Sequence, residues 1–482
     1  MGNLKQIGIL ALAHLLLFAG VTSVQAESKP NVLFYLTDDL GYGDVGCYGA
    51  EGQNTPAIDQ LAKEGTRFSH FYVHQRCSPS RAAFMTGSYA QRVGLASVIY
   101  KHKEGPIGLN PDEVTLPELM QTAGYKTALV GKWHLGEWEP FHPMNHGFDY
   151  FYGFLKATEG TEDLSLVENR KELKVPVKKT SGQAPGMVEA AVNFITEHQD
   201  ESFFLLYSDP MPHAPNEPSE RFQGSSQRGD YGDVIHEIDW QFQELMTALK
   251  ELEIEDDTIV VFTSDNGPPV IRQSKEDVGL TGPLRDGKWT NFEGGVRVPF
   301  ILRWPGKVKA GKESDAMMGL IDMLPTFCEI AGVEVPGDRV IDGVSVLPQF
   351  LGERKSQPLR DVQIVPGATI IHDGWKYYSA KQTPYNKKDP SQWGSFQPAE
   401  AGALFNLNED IGETTDVSDQ YPEVVKSLKK KMEAFMAELE TTSRPVGDAS
   451  NDPDKNFKLD RSEVKPGDSG EKKRRDRKKK GA

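Results

Sequence analysis

Four short apolar runs restrict what this chain can fold into. They are residues 32–36 (VLFYL), 127–130 (TALV), 203–207 (FFLLY) and 259–262 (IVVF). Such runs read as strands buried on both faces. Helix signals lie between them. Thr55-Pro56 is a cap and first-turn pair followed by Ile58, Leu61 and Ala62, and Leu116, Leu119 and Met120 share one helical face. Strand–helix alternation predicts an α/β fold, a large mostly parallel mixed sheet with helices on both faces. Ligands of such sheets bind beyond the carboxyl ends of the strands. Each run here leads to polar or ionisable groups: Asp38-Asp39, then Lys132 and His134, then His213, then Asp265-Asn266. One acidic doublet is an ordinary turn. Four strand ends of this kind predict a site.

Composition predicts a folded chain and excludes a disordered or collagen-like one. The 482 residues are 38% hydrophobic and 26% charged, enough for a sizeable core. Three cysteines exclude a disulfide framework. A net charge of −16 argues against a nucleic-acid partner. The charge is uneven, because Glu471 to Lys480 hold eight basic residues against two acidic ones.

Residues 1–26 have the pattern of a secretory signal. Lys5 precedes an apolar stretch too short to span a bilayer, and Val24-Gln25-Ala26 offers a cleavage site. No later stretch is apolar enough for a membrane span, so an exported protein, periplasmic or extracellular, is expected. A catalytic domain is expected over residues 30–350 and a smaller one over 355–442. In the second, Val424, Val425, Leu428, Met432, Phe435 and Leu439 form one helical stripe, and residues 406–410 look like the turn before it. Residues 443–482 are poor in apolar groups and predict a disordered basic tail.

Gly41, Gly43 and Gly46 spell a dinucleotide fingerprint after the first run. Asp38, Asp39 and Asp44 would repel a pyrophosphate, and no helix signal comes until Thr55. These glycines are read instead as a tight turn beside a bound cation.

The most specific segment is Cys77-Ser78-Pro79-Ser80-Arg81, followed by Thr86-Gly87. By chemistry alone it is a thiol at a helix start, with a cation one turn on. Its order resembles the signature of type I sulfatases, of the alkaline phosphatase superfamily. A second signature of that family is matched from Gly124 to His134. Asp38-Asp39, Pro212-His213, Ser264 to Gly267, and Lys288 before Glu293-Gly294-Gly295-Val296-Arg297 match in the same order. The resemblance runs from about Pro30 to Glu440.

The resemblance implies an alkaline-phosphatase-like domain and a smaller C-terminal α+β domain with a short antiparallel sheet and a helix. It also implies that a maturation enzyme oxidises Cys77 to Cα-formylglycine. Asp38, Asp39, Asp265 and Asn266 would hold one divalent cation against Cys77. The resemblance implies calcium before magnesium, and four oxygen ligands suit a hard ion. One hydroxyl of the hydrated aldehyde would attack sulfur and displace the alcohol, leaving an enzyme sulfate ester. Deprotonation of the other would then expel sulfate as the aldehyde re-forms. Asp265 would also accept the nucleophile's proton. Arg81 and Lys132 would stabilise the hydrate and the sulfuryl charge, Lys288 and His213 would bind sulfate and assist the leaving oxygen, and His134 would be the base for elimination. His70 and His74 look like a metal pair, but Arg81 disfavours a cation there, and they are read as structural or as supports behind the site residues.

The reading is a sulfatase acting on sulfate esters, with a sulfated carbohydrate as the expected substrate. A phosphomonoester or phosphonate hydrolase of the same superfamily, and a catalytically silent binder of sulfated glycans, are the alternatives. Trp133, Trp138 and Trp289 could stack on a sugar or serve as scaffold. Substrate choice is expected in variable loops such as 157–184. Whether Cys47 and Cys328 pair is left open.

Overall fold

The computed structural model describes residues 29–100, 105–156, 165–173, 183–270, 279–353, 359–365, 368–385 and 397–453. The expected signal segment, most of the expected tail and parts of the 157–184 loop lie outside these residues.

All four apolar runs are strands, and each is longer than its apolar stretch. We label β1 Asn31–Asp38, β2 Thr66–Tyr72, β3 Lys126–Lys132, β4 Tyr150–Phe154, β5 Phe203–Pro212, β6 Thr258–Ser264 and β7 Arg297–Arg303. Their order across the sheet is β2-β7-β6-β1-β5-β3-β4. The strands from β6 to β4 run parallel, whereas β7 is antiparallel to both β6 and β2. Short strands extend both edges, giving 11 strands among the described residues.

Alternation along β1 separates two cores. Val32, Phe34 and Leu36 pack with Phe84, Met120 and Phe327 on one face. Leu33 and Tyr35 pack with Ile58, Phe194 and Phe242 on the other. Successive strand side chains point to opposite faces, so one run of apolar residues supplies both layers. The first face is covered by α2 (Cys77–Thr86), α3 (Leu116–Thr122) and a helix at Met323–Ala331; the second by α1 (Pro56–Glu64), α4 (Ala184–Glu197) and α5 (Gly229–Glu251).

Register brings the chemistry to one edge. Asp38 pairs with Pro212, Thr37 with Ser264, and Gly131 with Ser208. Gly131 has φ 112, and a Cβ there would lie 2.0 Å from the Ser208 carbonyl oxygen. Only glycine allows that approach beside Lys132.

The C-terminal part is an antiparallel sheet of Gln363–Val365, Thr369–His372, Trp375–Tyr378 and Leu404–Asn406, covered by the helix Pro422–Thr442. Leu428 and Met432 of the expected stripe are buried, with Val424, Val425 and Phe435 against the same cluster. The boundary expected at residue 443 differs in the structure. Gly447–Asp448 pairs with Ile107–Gly108, and Arg444 Nε donates to Glu113 Oε1 at 2.7 Å. Backbone pairing and one ion pair order a segment that composition alone read as solvated.

A buried ionic cluster joins the two parts. Lys376 Nζ lies 2.8 Å from Glu293 and 3.1 Å from Glu413, with all three side chains fully buried. Arg297 and the Tyr72 hydroxyl also contact Glu293, and the Tyr378 hydroxyl contacts Glu413. Removing one member strands the others without solvent. Lys376→Met should therefore destabilise the protein by about 3–5 kcal/mol, read as a fall in the thermal midpoint. An unchanged midpoint would contradict this account.

Candidate active site

The site is built at the carboxyl ends of β1, β3, β5 and β6, with α2 pointing its first turn into it. Asp38 closes β1, and Asp39 follows with φ 72. That left-handed turn carries the Asp39 backbone away from the strand, and its N–H donates to Asp265 Oδ1 at 3.2 Å. Asn266 Nδ2 donates to Asp39 Oδ1 at 2.7 Å. Cys77 is the first residue of α2, and its Sγ lies 3.1 Å from Asp38 Oδ1 and 3.8 Å from Asp39 Oδ1.

Three cations meet the three carboxylates. Arg81 pairs with Asp265 through Nε at 3.0 Å and Nη2 at 2.8 Å. Lys132 Nζ contacts Asp38. Lys288 Nζ donates to Asp39 Oδ2 at 2.7 Å. All six side chains are buried. Burial alone would raise the Asp38 carboxyl, but Lys132, His213, Arg81 and Lys288 hold it well below the usual carboxylate range. Asp265 goes the other way: burial and the Asp38 charge push it up to about 6, against Arg81 and Lys132. Burial, then Asp38, raise the Cys77 thiol well above its ordinary value.

The two histidines differ. His213 follows β5, and its Nε2 lies 3.7 Å from Asp39 Oδ2. One ligand atom each from Asp38, Asp39, Cys77 and His213 falls within a 4.8 Å set. The sequence placed His213 on the sulfate side; the fold also brings it to the carboxylates. His134 has φ 60 and is buried, with Nε2 at 3.3 Å from the Ile99 carbonyl and, among the described residues, no hydrogen-bond partner for Nδ1. Burial, then Lys132 and Arg81, push its imidazole well below the ordinary value.

The donor set fits a hard divalent cation. The Asp39 N–H reaches Asp265 Oδ1, Asp38 and Asp39 offer carboxylate oxygens within 4.8 Å of each other, and the buried Asn266 Oδ1 has no hydrogen-bond partner among the described residues. A buried polar oxygen without a donor is costly unless something outside the chain satisfies it.

One participant was not singled out in the sequence. Arg81 Nη1 donates to Ser208 Oγ at 2.5 Å and to the Lys132 carbonyl at 2.8 Å. Ser208 lies past the apolar part of β5, so strand-end position was its signal. Asp44 accepts from Tyr231, Gly41 and Leu280, pairs with Arg228 at 3.3 Å, and ties the glycine turn to neighbouring loops. Trp133 is scaffold, with Nε1 donating to the Phe141 carbonyl at 2.8 Å. Trp138 is half-buried before a short 3-10 helix. Trp289 is half-buried beside Lys288, whose Nζ is 5.3 Å from its ring. Cys47 and Cys328 are both free.

His70 and His74 do not join the site. His74 Nε2 accepts from the Ala90 N–H at 3.1 Å, and burial lowers its pKa to about 3. Unfolded, it protonates near its ordinary value of 6.5. Its contribution to stability is therefore present above 6.5 and lost as pH falls toward 3. His74→Gln keeps an acceptor without the titration. Between about pH 7 and pH 5 the variant should lose about 2 kcal/mol less stability than the wild type. Urea unfolding at the two pH values checks this, and equal losses would contradict it.

The geometry has counterparts among known proteins. The family model described as Sulfatase matches residues 30–333. A second, described as N-sulphoglucosamine sulphohydrolase, C-terminal, matches residues 286–438. The chain is 39% identical over 357 residues to N-acetylgalactosamine-6-sulfatase of Canis lupus familiaris, covering 69% of this chain and 68% of that one. It is 36% identical over 468 residues to arylsulfatase A of Bos taurus, covering 88% and 91%. Among solved structures, Ps i-CgsB in complex with k-i-k-neocarrahexaose superposes with a TM-score of 0.72 at 30% identity, covering 85% of this chain and 93% of that one.

Proposed function

The chain belongs to the sulfatase family and is a sulfuric ester hydrolase, and we propose that it cleaves sulfate esters of carbohydrates using a formylglycine made from Cys77. The observation that carries this reading is the position of Cys77. It opens α2, 3.1 Å from Asp38, with Arg81, Lys132 and Lys288 gathered around the same carboxylates. Oxidised by a maturation enzyme and hydrated, this residue supplies a hydroxyl nucleophile where a cysteine thiol stood.

Asp38, Asp39, Asp265 and Asn266 would hold a calcium ion in this reading, which would supply Lewis-acid chemistry toward a sulfate oxygen and the nucleophile. The protein's own three cations and three carboxylates balance, so a divalent ion leaves the pocket net positive and matched to sulfate. Arg81 and Lys132 orient the nucleophile and meet the sulfuryl oxygens. Lys288 binds sulfate from the other side. Fixed positive groups in a buried site stabilise charge as it develops, without reorganisation. His213 donates to the departing oxygen. His134 stays neutral at physiological pH, through burial and the charges of Lys132 and Arg81, and is free to take a proton.

Two observations support a carbohydrate substrate. A relative is named for an N-acetylgalactosamine sulfate, and a solved structure of the same fold holds a neocarrahexaose. Export to the periplasm or outside the cell follows from the signal pattern in residues 1–26, and no helix among the described residues is long and apolar enough to cross a membrane.

Peptide mass across Cys77, after co-expression with a formylglycine-generating enzyme, tests the nucleophile. The aldehyde mass should accompany turnover, and Cys77→Ala should lower turnover on the order of 10⁴-fold or more. Full activity with an unmodified thiol would overturn the mechanism. Chelation should abolish turnover, and calcium should restore it better than magnesium. Undiminished activity after exhaustive chelation would overturn the metal assignment.

A further inference from the structure

The buried cations of the site each have an acid: Arg81 has Asp265, Lys132 has Asp38, and Lys288 has Asp39. Arg76 is placed differently. It directly precedes Cys77, with extended backbone at the N-cap of α2. Its guanidinium lies 5.2 Å over the Trp289 ring. Its Nε is buried without a hydrogen-bond partner, and among the described residues it enters no ion pair.

Trp289 is held in an uncommon conformation to make this contact. Its φ is 76, a region that a bulky side chain rarely adopts. The Trp289 N–H donates to the Gln75 carbonyl at 3.0 Å, which fixes the turn to the residue before Arg76. The ring stacks on Tyr385 at 6.3 Å with planes 19° apart. Tyr385 comes from the C-terminal part, where its N–H donates to Asp286 Oδ2 at 3.1 Å. Arg76, Trp289 and Tyr385 are half-buried, whereas Cys77 and Lys288 are buried. The trio is thus more exposed than Cys77 and Lys288, the site residues that adjoin Arg76 and Trp289 in the chain. A planar guanidinium held over a ring can turn its N–H edge to an anion, the geometry that recognises carboxylate or sulfate.

We propose that Arg76, backed by Trp289 and Tyr385, is a second anion subsite. It takes a carboxylate or a further sulfate on the saccharide whose scissile sulfate lies at Cys77. This inference rests on the carbohydrate reading given above. Arg76 selects among substrates by charge outside the scissile ester, and it leaves the reacting atoms to the buried cations.

Three probes separate the possibilities: N-acetylgalactosamine 6-sulfate, its 4,6-disulfate, and a disaccharide carrying a uronate next to the 6-sulfated sugar. The wild type should prefer at least one two-anion probe in kcat/KM over the monosulfated sugar. Arg76→Gln should lower that preference about tenfold, and Arg76→Lys should lower it less. The probe that loses its advantage identifies the anion as sulfate or carboxylate. A ratio of substrates cancels any change in the fraction of protein matured at Cys77. Equal losses on all three probes, or a wild type that prefers the monosulfated sugar, would overturn the subsite while leaving the carbohydrate reading intact. Hydrolysis of 4-nitrophenyl sulfate with none of the three sugars cleaved would overturn the carbohydrate reading and this inference with it.

Discussion

Three carboxylates buried at one sheet edge repel one another unless their charge is met, and the rest of the site follows from how it is met. Asp38 faces Lys132 from the next strand but one, Asp39 faces Lys288 from a distant loop, and Asp265 faces Arg81 from α2. Each pair joins segments far apart in sequence. Desolvating both partners is costly, so such pairs hold only where geometry and added hydrogen bonds are good. Arg81 illustrates this, bonding Asp265, Ser208 and the Lys132 carbonyl at once. The same pairs that settle the fold at this edge leave fixed positive groups around Cys77.

The C-terminal part has a reason to be present beyond covering a core. The segment from Arg285 to Arg297 carries Lys288 and would otherwise be a loop. Its Asn291 side chain donates to Thr369 Oγ1 at 3.1 Å, its Glu293 pairs with Lys376, and the Glu293 N–H donates to Glu413 Oε2 at 2.7 Å. Lys288 is thus aimed by the antiparallel sheet as well as by the parallel one. A loop fixed by buried ionic contacts loses little freedom when substrate arrives, which is the structural basis of electrostatic preorganisation.

Much of this was legible in the chain. The four runs gave the strands because residues buried on both faces must be apolar in succession. The C-S-P-S-R segment and the order of the later signatures pointed to Cys77 as the candidate nucleophile, and the strand ends pointed to the residues that the fold brings around it. Three things were not legible. Arg76 has no pattern of its own, and only the approach of Trp289 gives it a role. Ser208 looks like any strand-end serine until Arg81 reaches it. Residues 443–453 read as solvated tail by composition, yet Gly447–Asp448 finds a strand partner at Ile107–Gly108.

The sequence by itself determined which residues lie at strand ends and which residue types the site contains, because those depend on local periodicity and on a short motif. Tertiary structure decided which carboxylate meets which cation, that His213 approaches Asp39, and that Arg76 enters no ion pair among the described residues. Those outcomes depend on register between strands and on loop approaches across more than two hundred residues, as between Lys288 and Asp39. Coulomb attraction at a few ångströms in a buried site is strong, but no local pattern says which charges will come that close.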